Sequence, residues 1–244
     1  MFAFSGQQEF GLSARHNVPV ILGYATATNI SGSAITDHHI PIPARARPGL
    51  RLLTISTRGA DTPYDPIVGG QRLGYVQRAG TALGINYTTS IQEKILDDTE
   101  VAQGYVLLPT LGDNQAAISC LLWCDYTLVF SLSPMSSAAT ATAGFNRAGT
   151  TDQISVPAVE LTPTKDALAI SVVAWQGGLR TVTQPATYTQ RQEAMPASTA
   201  NSRNCLCLAS KIAPKDVGTG TATWDFSGAA TLRPMSFTLL AYTR

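Results

Sequence analysis

Charge is what this sequence has least of. Only 14% of its 244 residues are Asp, Glu, Lys or Arg, and 17 basic side chains against 16 acidic ones leave a net charge of +1. A globular protein usually carries about a quarter charged residues. Phosphate binding rests on clustered Lys and Arg, so this balance argues against a nucleic-acid partner. Histidine is scarce as well: His16, His38 and His39 all lie near the N-terminal end, so a general base would have to come from that edge. No nucleophile elbow, HExxH run, P-loop or dinucleotide fingerprint occurs, which predicts a protein without catalytic residues or cofactor, not an enzyme. Long apolar runs are missing too. The longest candidate, "AAISCLLWCDYTLVF", is interrupted by Asp125 and falls short of the ~20 residues of a membrane span. "MFAFSGQQEF" has neither the basic start nor the continuous apolar run of a signal peptide, so synthesis in a cytoplasm with reduced thiols and no membrane partner is expected.

The four cysteines fit that setting. Cys120 with Cys124, and Cys205 with Cys207, sit at CxxxC and CxC spacings, a poor match to the paired CxxC of zinc sites. At period two each pair shares one strand face, and buried free thiols are the expectation.

What the sequence has in abundance is period two. Short stretches such as "LRLLTIST", "AISCLLW", "ALAISVVAW", "CLCLASKI", "TATWDFS" and "SFTLLAYT" are rich in β-branched and aromatic residues and bounded by Gly, Pro, Asn or Asp. Two stretches have helix-forming composition, but "TQRQEAMPASTANS" is broken by Pro196, and "TSIQEKILDDTEVA" is expected to be a strand ending in a loop. The pattern is that of an all-β sandwich or barrel.

The chain also repeats itself. "TDHHIPIPARARPGLRLLTIS", Thr36 to Ser56, is echoed by "TDQISVPAVELTPTKDALAIS", Thr151 to Ser171. Asp37 matches Asp152, Pro43 matches Pro157 and Leu52 matches Leu168; further on, Lys94 matches Lys211 and Trp123 matches Tyr242. The spacing drifts by only a few residues, as expected when loops vary and strands do not. The chain therefore reads as an arm, 1–24, followed by two similar halves of about 100 residues, 25–133 and 140–244. A lone unit would leave sheet edges open, so the halves are expected to interleave into one domain, with two tandem sandwiches as the alternative.

The repeat tests a metal reading of Asp37-His38-His39. Its counterpart is Asp152-Gln153, without histidine, so the motif is not needed to build the unit. Asp37 is expected to end a loop and His38 and His39 to begin a strand, with Ile40 and Ile42 on one face. Pro41 and Pro43 place that strand at a sheet edge. No metal is expected. The acidic run Asp97-Asp98-Thr99-Glu100 has "APKDVG" as its counterpart and reads as a solvated turn.

Trp224 shares a strand face with Ala222 and Phe226 and is expected in the core. Trp123 lies in a strand apolar on both faces, which implies cover from both sides. Trp175 precedes Gln176-Gly177-Gly178, a turn signal, and is a candidate rim aromatic that could stack on a sugar or a partner. Arg45, Arg47 and Arg51 surround Pro48-Gly49, and Arg45 and Arg47 are candidate contacts for an acidic neighbour. Phe2, Phe4 and Phe10 lie outside the repeat and need apolar cover from this sandwich or another subunit.

The second half, with "KDALAISVVAWQGG", "TVTQPATYTQRQE" and "GTGTATWDFSGAATLR", resembles a duplicated β-sandwich domain of tailed-phage virion proteins and some bacterial surface proteins. The likeness extends over residues 30–244, although "DTPYDPIVGGQRLGYV" in the first half lacks the family's Trp-bearing turn. The resemblance implies a jelly-roll-like sandwich and a virion setting with other virion proteins, including copies of itself, as partners. A capsid decoration or cement protein, or a tail or spike component, is the expected function. The alternative is a carbohydrate-binding module for host adhesion, with a glycan as ligand.

Overall fold

The computed structural model describes residues 18–29, 35–58, 75–82, 88–112, 115–123, 128–132, 136–137, 151–159, 164–176, 180–195, 204–227 and 235–243. The first half comprises β1 (Val20–Asn29), β2 (Ile35–Pro41), β3 (Arg51–Arg58), β4 (Val76–Ala82), β5 (Thr88–Ile95), the short helix α1 (Asp98–Gln103), β6 (Tyr105–Gly112) and β7 (Gln115–Trp123). The second comprises β8 (Leu128–Leu132), β9 (Ser136–Ser137), β10 (Thr151–Val156), β11 (Ala167–Gln176), β12 (Val182–Thr183), β13 (Thr189–Ala194), β14 (Asn204–Ala213), β15 (Ala222–Ser227) and β16 (Met235–Thr243).

Each half builds the same pair of sheets. In the first, a main sheet runs β1-β7-β3-β5-β4 and a small sheet pairs β2 with β6. In the second, the main sheet runs β8-β16-β11-β14-β13 and the small one β10-β15-β12. All these pairings are antiparallel. In the first half the first, last, third and fifth strands lie side by side with the second and sixth facing them, and in the second half β8, β16, β11 and β14 lie side by side with β10 and β15 facing them, the strand order of a jelly roll. The chain is an all-β sandwich made of two such rolls.

Three cores separate four layers. One lies inside the first roll and holds Ile40, Leu52, Leu96, Val106 and Leu121. One lies inside the second and holds Ile154, Val156, Trp175, Trp224 and Phe226. The third lies between the two main sheets, where Leu53, Ile55, Ile118 and Leu122 of the first roll meet Ile170, Val172, Leu208, Phe237 and Leu239 of the second. Across this junction β1 lies over β13, β7 over β13 and β14, and β3 over β14. Alternation within single strands produces the arrangement. In β11, Leu168, Ile170, Val172 and Ala174 face the junction while Ala167, Ala169, Val173 and Trp175 face the second roll's interior. In β7, Ala116, Ile118, Cys120 and Leu122 face the junction while Ala117 and Leu121 face the first roll's interior. Strands covered on both faces read as continuous apolar runs.

The halves therefore do not interleave. Each keeps its strands in its own sheets, and the exposed face of each main sheet, rather than its edges, is what the other half covers. The limits of the halves also move. β8 pairs with β16 in the second main sheet, so residues 128–132 belong to the second half and not to the first. β1 begins at Val20, inside the expected arm, and Ile21 and Tyr24 pack on the junction core. Register fixes the internal alignment: Lys94 lies across from Leu52 and Lys211 across from Ala169, so Leu52 matches Ala169 and not Leu168. The Lys94–Lys211 and Trp123–Tyr242 matches agree with the register.

Cys120 lies in the junction core and Cys205 and Cys207 in the second roll's core, all buried and none in a disulfide; Cys124 lies outside the described residues. Burial pushes the Cys205 thiol up to about 12 and raises those of Cys120 and Cys207 as well. In the native protein these three thiols should therefore resist a thiol-specific reagent at mildly alkaline pH. Unfolding in denaturant should release four reactive groups, one for each of the 4 cysteines. Fewer than four after unfolding would reveal a disulfide.

Candidate interaction surface

The end of the first roll is made from two connections stitched together. The loop between β2 and β3 turns through Ala46 N–H donating to the Pro43 carbonyl (2.9 Å) and Leu50 N–H to that of Arg47 (3.2 Å). It is tied to the β5–β6 connection by Gly49 N–H to Leu96 O (2.8 Å), Leu96 N–H to Leu50 O (2.9 Å) and Ile42 N–H to Gly104 O (3.1 Å). Gly49 has φ of 85°, a left-handed conformation in which a side chain would be strained. The loop carries Arg45 and Arg47 exposed at its tip. Arg51 is different: it starts β3 and pairs with the buried Glu93.

The acidic run is not a solvated turn. Asp97 caps α1, accepting from Glu100 N–H (2.8 Å), while Glu100 Oε2 accepts from Asp97 N–H (3.2 Å). This reciprocal pair is a capping box. Glu100 is buried, and its other oxygen pairs with Lys94 Nζ, which also stands 5.3 Å from the centroid of the Tyr75 ring. Two of its carboxylates thus serve the helix end and a lysine. Among the described residues no group of three or more His, Cys, Asp or Glu could hold a metal ion.

The second roll repeats part of this cluster. Lys211 Nζ stands 4.6 Å from the centroid of the Tyr188 ring and donates to Thr187 Oγ1 (3.1 Å). Burial pushes the Tyr188 phenol up to about 12. Sequence reading missed the tyrosines, although a signal was present: Tyr75-Val76-Gln77-Arg78 and Tyr188-Thr189-Gln190-Arg191 are the same motif at the same place in each half. The connection after β14 holds no helix. It turns through Val217 N–H to Pro214 O (3.2 Å) and is anchored by Lys215 N–H to Asp166 Oδ1 (2.8 Å).

The Asp37-His38-His39 stretch lies wholly within β2, with Asp37 opposite Pro109, so Asp37 does not end the preceding loop. Among the described residues β2 pairs only with β6 and is an edge strand, as Pro41 requires. His38 points inward, 7% exposed, with Nε2 lacking a hydrogen-bond partner. His39 points outward and stacks on Tyr105 at 4.2 Å between ring centroids. The two imidazoles of this strand thus face opposite ways.

Burial, and then the neighbouring His39, hold the His38 pKa below its ordinary value of 6.5. The unfolded chain then binds the extra proton more readily. The contribution of His38 to stability is complete above pH 6.5 and is lost as pH falls from there toward its folded pKa. His38→Leu should flatten the fall in melting temperature between about pH 7 and 5, without loss near neutrality, because it removes an unpaired buried nitrogen. An unchanged acid limb would show that His38 is not its source. Stoichiometric zinc or nickel in the purified protein, lost on replacing both histidines by Ala, would overturn the absence of a metal site.

Trp175 is not at a rim. It is 0% exposed and packs edge-on against Phe226 in the second roll's core at 5.4 Å between centroids. The bulk of the roll, not the turn after Trp175, decides its environment. Phe2, Phe4 and Phe10 lie outside the described residues.

No family model matches the chain, and no curated protein matches it. Among solved structures it is similar to one described as "Structure of infectious bursal disease virus Gx strain", at 7% identity and a TM-score of 0.26, over 92% of this chain and 70% of that one. A second, "Structure of infectious bursal disease virus Gt strain", aligns at 9% identity and a TM-score of 0.25, over 92% of this chain and 56% of that one.

Proposed function

We propose that the chain is a non-enzymatic structural protein of a phage particle: a decoration or cement protein of the head, with a tail or spike component as the nearest alternative position. The double jelly roll carries this reading. Two rolls cover each other's main sheets, and what remains outward is the small sheets' outer faces, the roll ends and loops suited to contact. Jelly rolls recur in viral capsid domains and in lectins, an analogy of fold that does not by itself assign function. The resemblance of the second half to tailed-phage sandwich domains favours the particle. The adhesion alternative loses its aromatic platform, because Trp175 and Trp224 are both 0% exposed.

β1 begins at Val20, so a chain starting at Val18 keeps every described strand. It should melt with the full-length protein but fail to rebind particles stripped of it, because Phe2, Phe4 and Phe10 are the expected attachment. Full occupancy by the truncated chain would move the contact to Arg45 and Arg47. Absence of the full-length protein from purified particles, with saturable binding to a host-surface glycan, would replace the structural reading by the adhesive one.

A further inference from the structure

The two rolls treat one buried polar position differently. Thr54 lies across from Gln92 in the first main sheet, and Ser171 lies across from Ala209 in the second. Each pair stands two residues from the matched pairs Leu52–Lys94 and Ala169–Lys211, so Thr54 corresponds to Ser171 and Gln92 to Ala209. Leu53, Ile55 and Ile91 face the junction, which turns Thr54 and Gln92 toward the first roll's interior. In the second roll Ser171 Oγ accepts from Trp224 Nε1 at 2.9 Å. Trp224 lies across from Ile154, and Val106 lies across from Ile40. Ile154 and Ile40 each stand three residues before the matched prolines Pro157 and Pro43, so Val106 takes the place of Trp224. Both residues belong to the core of their roll, but valine is smaller and has no hydrogen to donate.

The neighbouring hydroxyls on this face are already engaged. Ser56 and Ser90 bond to each other at 3.0 Å. Ser119, across from Thr54 on its other side, donates to Pro41 O at 2.7 Å. Around Thr54 three atoms remain: Thr54 Oγ1, Gln92 Oε1 and Tyr75 OH are buried with no hydrogen-bond partner among the described residues. Their residues are 0%, 1% and 3% exposed. They are also neighbours. Thr54 and Gln92 face each other across β3 and β5. Burial and then Glu100 push the Tyr75 phenol up, while the adjacent Thr54 hydroxyl acts the other way. Buried polar atoms left unpaired are destabilising, and an internal water typically makes about three bonds to such groups.

We propose that Thr54, Tyr75 and Gln92 hold one structural water inside the first roll, which serves Thr54 as the Trp224 indole serves Ser171. The water donates to Gln92 Oε1 and to Thr54 Oγ1 and accepts from the Tyr75 hydroxyl, so all three atoms gain a partner. Lys94, the next side chain on that face of β5, stands over the Tyr75 ring and pairs with Glu100. The water thus links the ion pair of α1 to the middle of the main sheet. The site is set by residues inside the roll, independently of the particle in which the protein works.

A high-resolution crystal structure of the full-length protein should show one water within hydrogen-bond distance of all three atoms. Oxygen-17 relaxation dispersion in solution should count it among the long-lived waters. Thr54→Val with Gln92→Met keeps both side chains close to their size and should lower that count by one. Val106→Trp with Gln92→Ala transplants the second roll's arrangement. It should also lower the count by one, with the new indole donating to Thr54 Oγ1. Density for a larger molecule at the three atoms, or another group of the chain bonded to them, overturns the proposal. So does a count that neither double variant changes.

Discussion

Trp224→Ala should lower the unfolding free energy by about 3–5 kcal/mol, the usual result of emptying a large aromatic site. The side chain is 0% exposed, between the small sheet and the main sheet of the second roll. It also donates from Nε1 to Ser171 Oγ at 2.9 Å, a hydrogen bond formed wholly inside the core. Ser171 is central in β11, so the bond joins the two sheets of the roll at mid-strand. Trp224→Phe keeps most of the ring volume and removes that donor. It should cost less, about 1–3 kcal/mol, through the serine left buried without its partner and the smaller ring. Urea unfolding of the three proteins, followed by far-UV circular dichroism, gives both numbers. A change below about 1 kcal/mol for the alanine variant would mean that Trp224 is exposed in solution and would restore a sugar-stacking role.

Neither half should fold by itself. Separate expression of residues 1–127 and 128–244 would leave the junction face of each main sheet in water: Leu53, Ile55, Ile91, Ile118 and Leu122 on one side, Ile170, Val172, Leu206, Leu208, Phe237 and Leu239 on the other. Contiguous apolar faces of that kind drive association in folded monomers. Each half alone should be insoluble or aggregated, co-expression should return a soluble one-to-one complex, and the intact chain should melt in one transition. A soluble, monomeric half with a native near-ultraviolet spectrum would show that the junction is dispensable and that the rolls are independent domains.

Much of this architecture could be read from the amino-acid order. Period two marked the strands. The double-faced apolar run of β7 announced cover on both sides, and the echo of Thr36–Ser56 in Thr151–Ser171 announced two like units. The way the units meet could not be read, because a strand apolar on both faces says that each face is covered and not by what. Trp175 was misplaced for a related reason. The turn signal after it is local, whereas its burial is set by Phe226, far along the chain. The helix α1 was legible in retrospect: Asp97 and Glu100 stand three apart, the spacing of a capping box, but one short turn gives no apolar periodicity to draw attention to it. The lysine–tyrosine pairs were hidden by separation. Tyr75 and Lys94 meet only once β4 has paired with β5.

The stacking of one main sheet on its counterpart brings β1 over β13 and β3 over β14, with no comparable contact of β8 with β4 or of β11 with β5, so the two like rolls do not meet about a dyad. In a true homodimer the dyad forces both ends to be the same, and any surface that binds at one end must bind at the other. Joining the subunits into one polypeptide lifts that obligation. One end closes on its lysine with the buried carboxylate of a short helix and the other holds its lysine with Thr187 and Tyr188, so the molecule has a head and a tail. A building block with polarity can be added to an assembly in one orientation only.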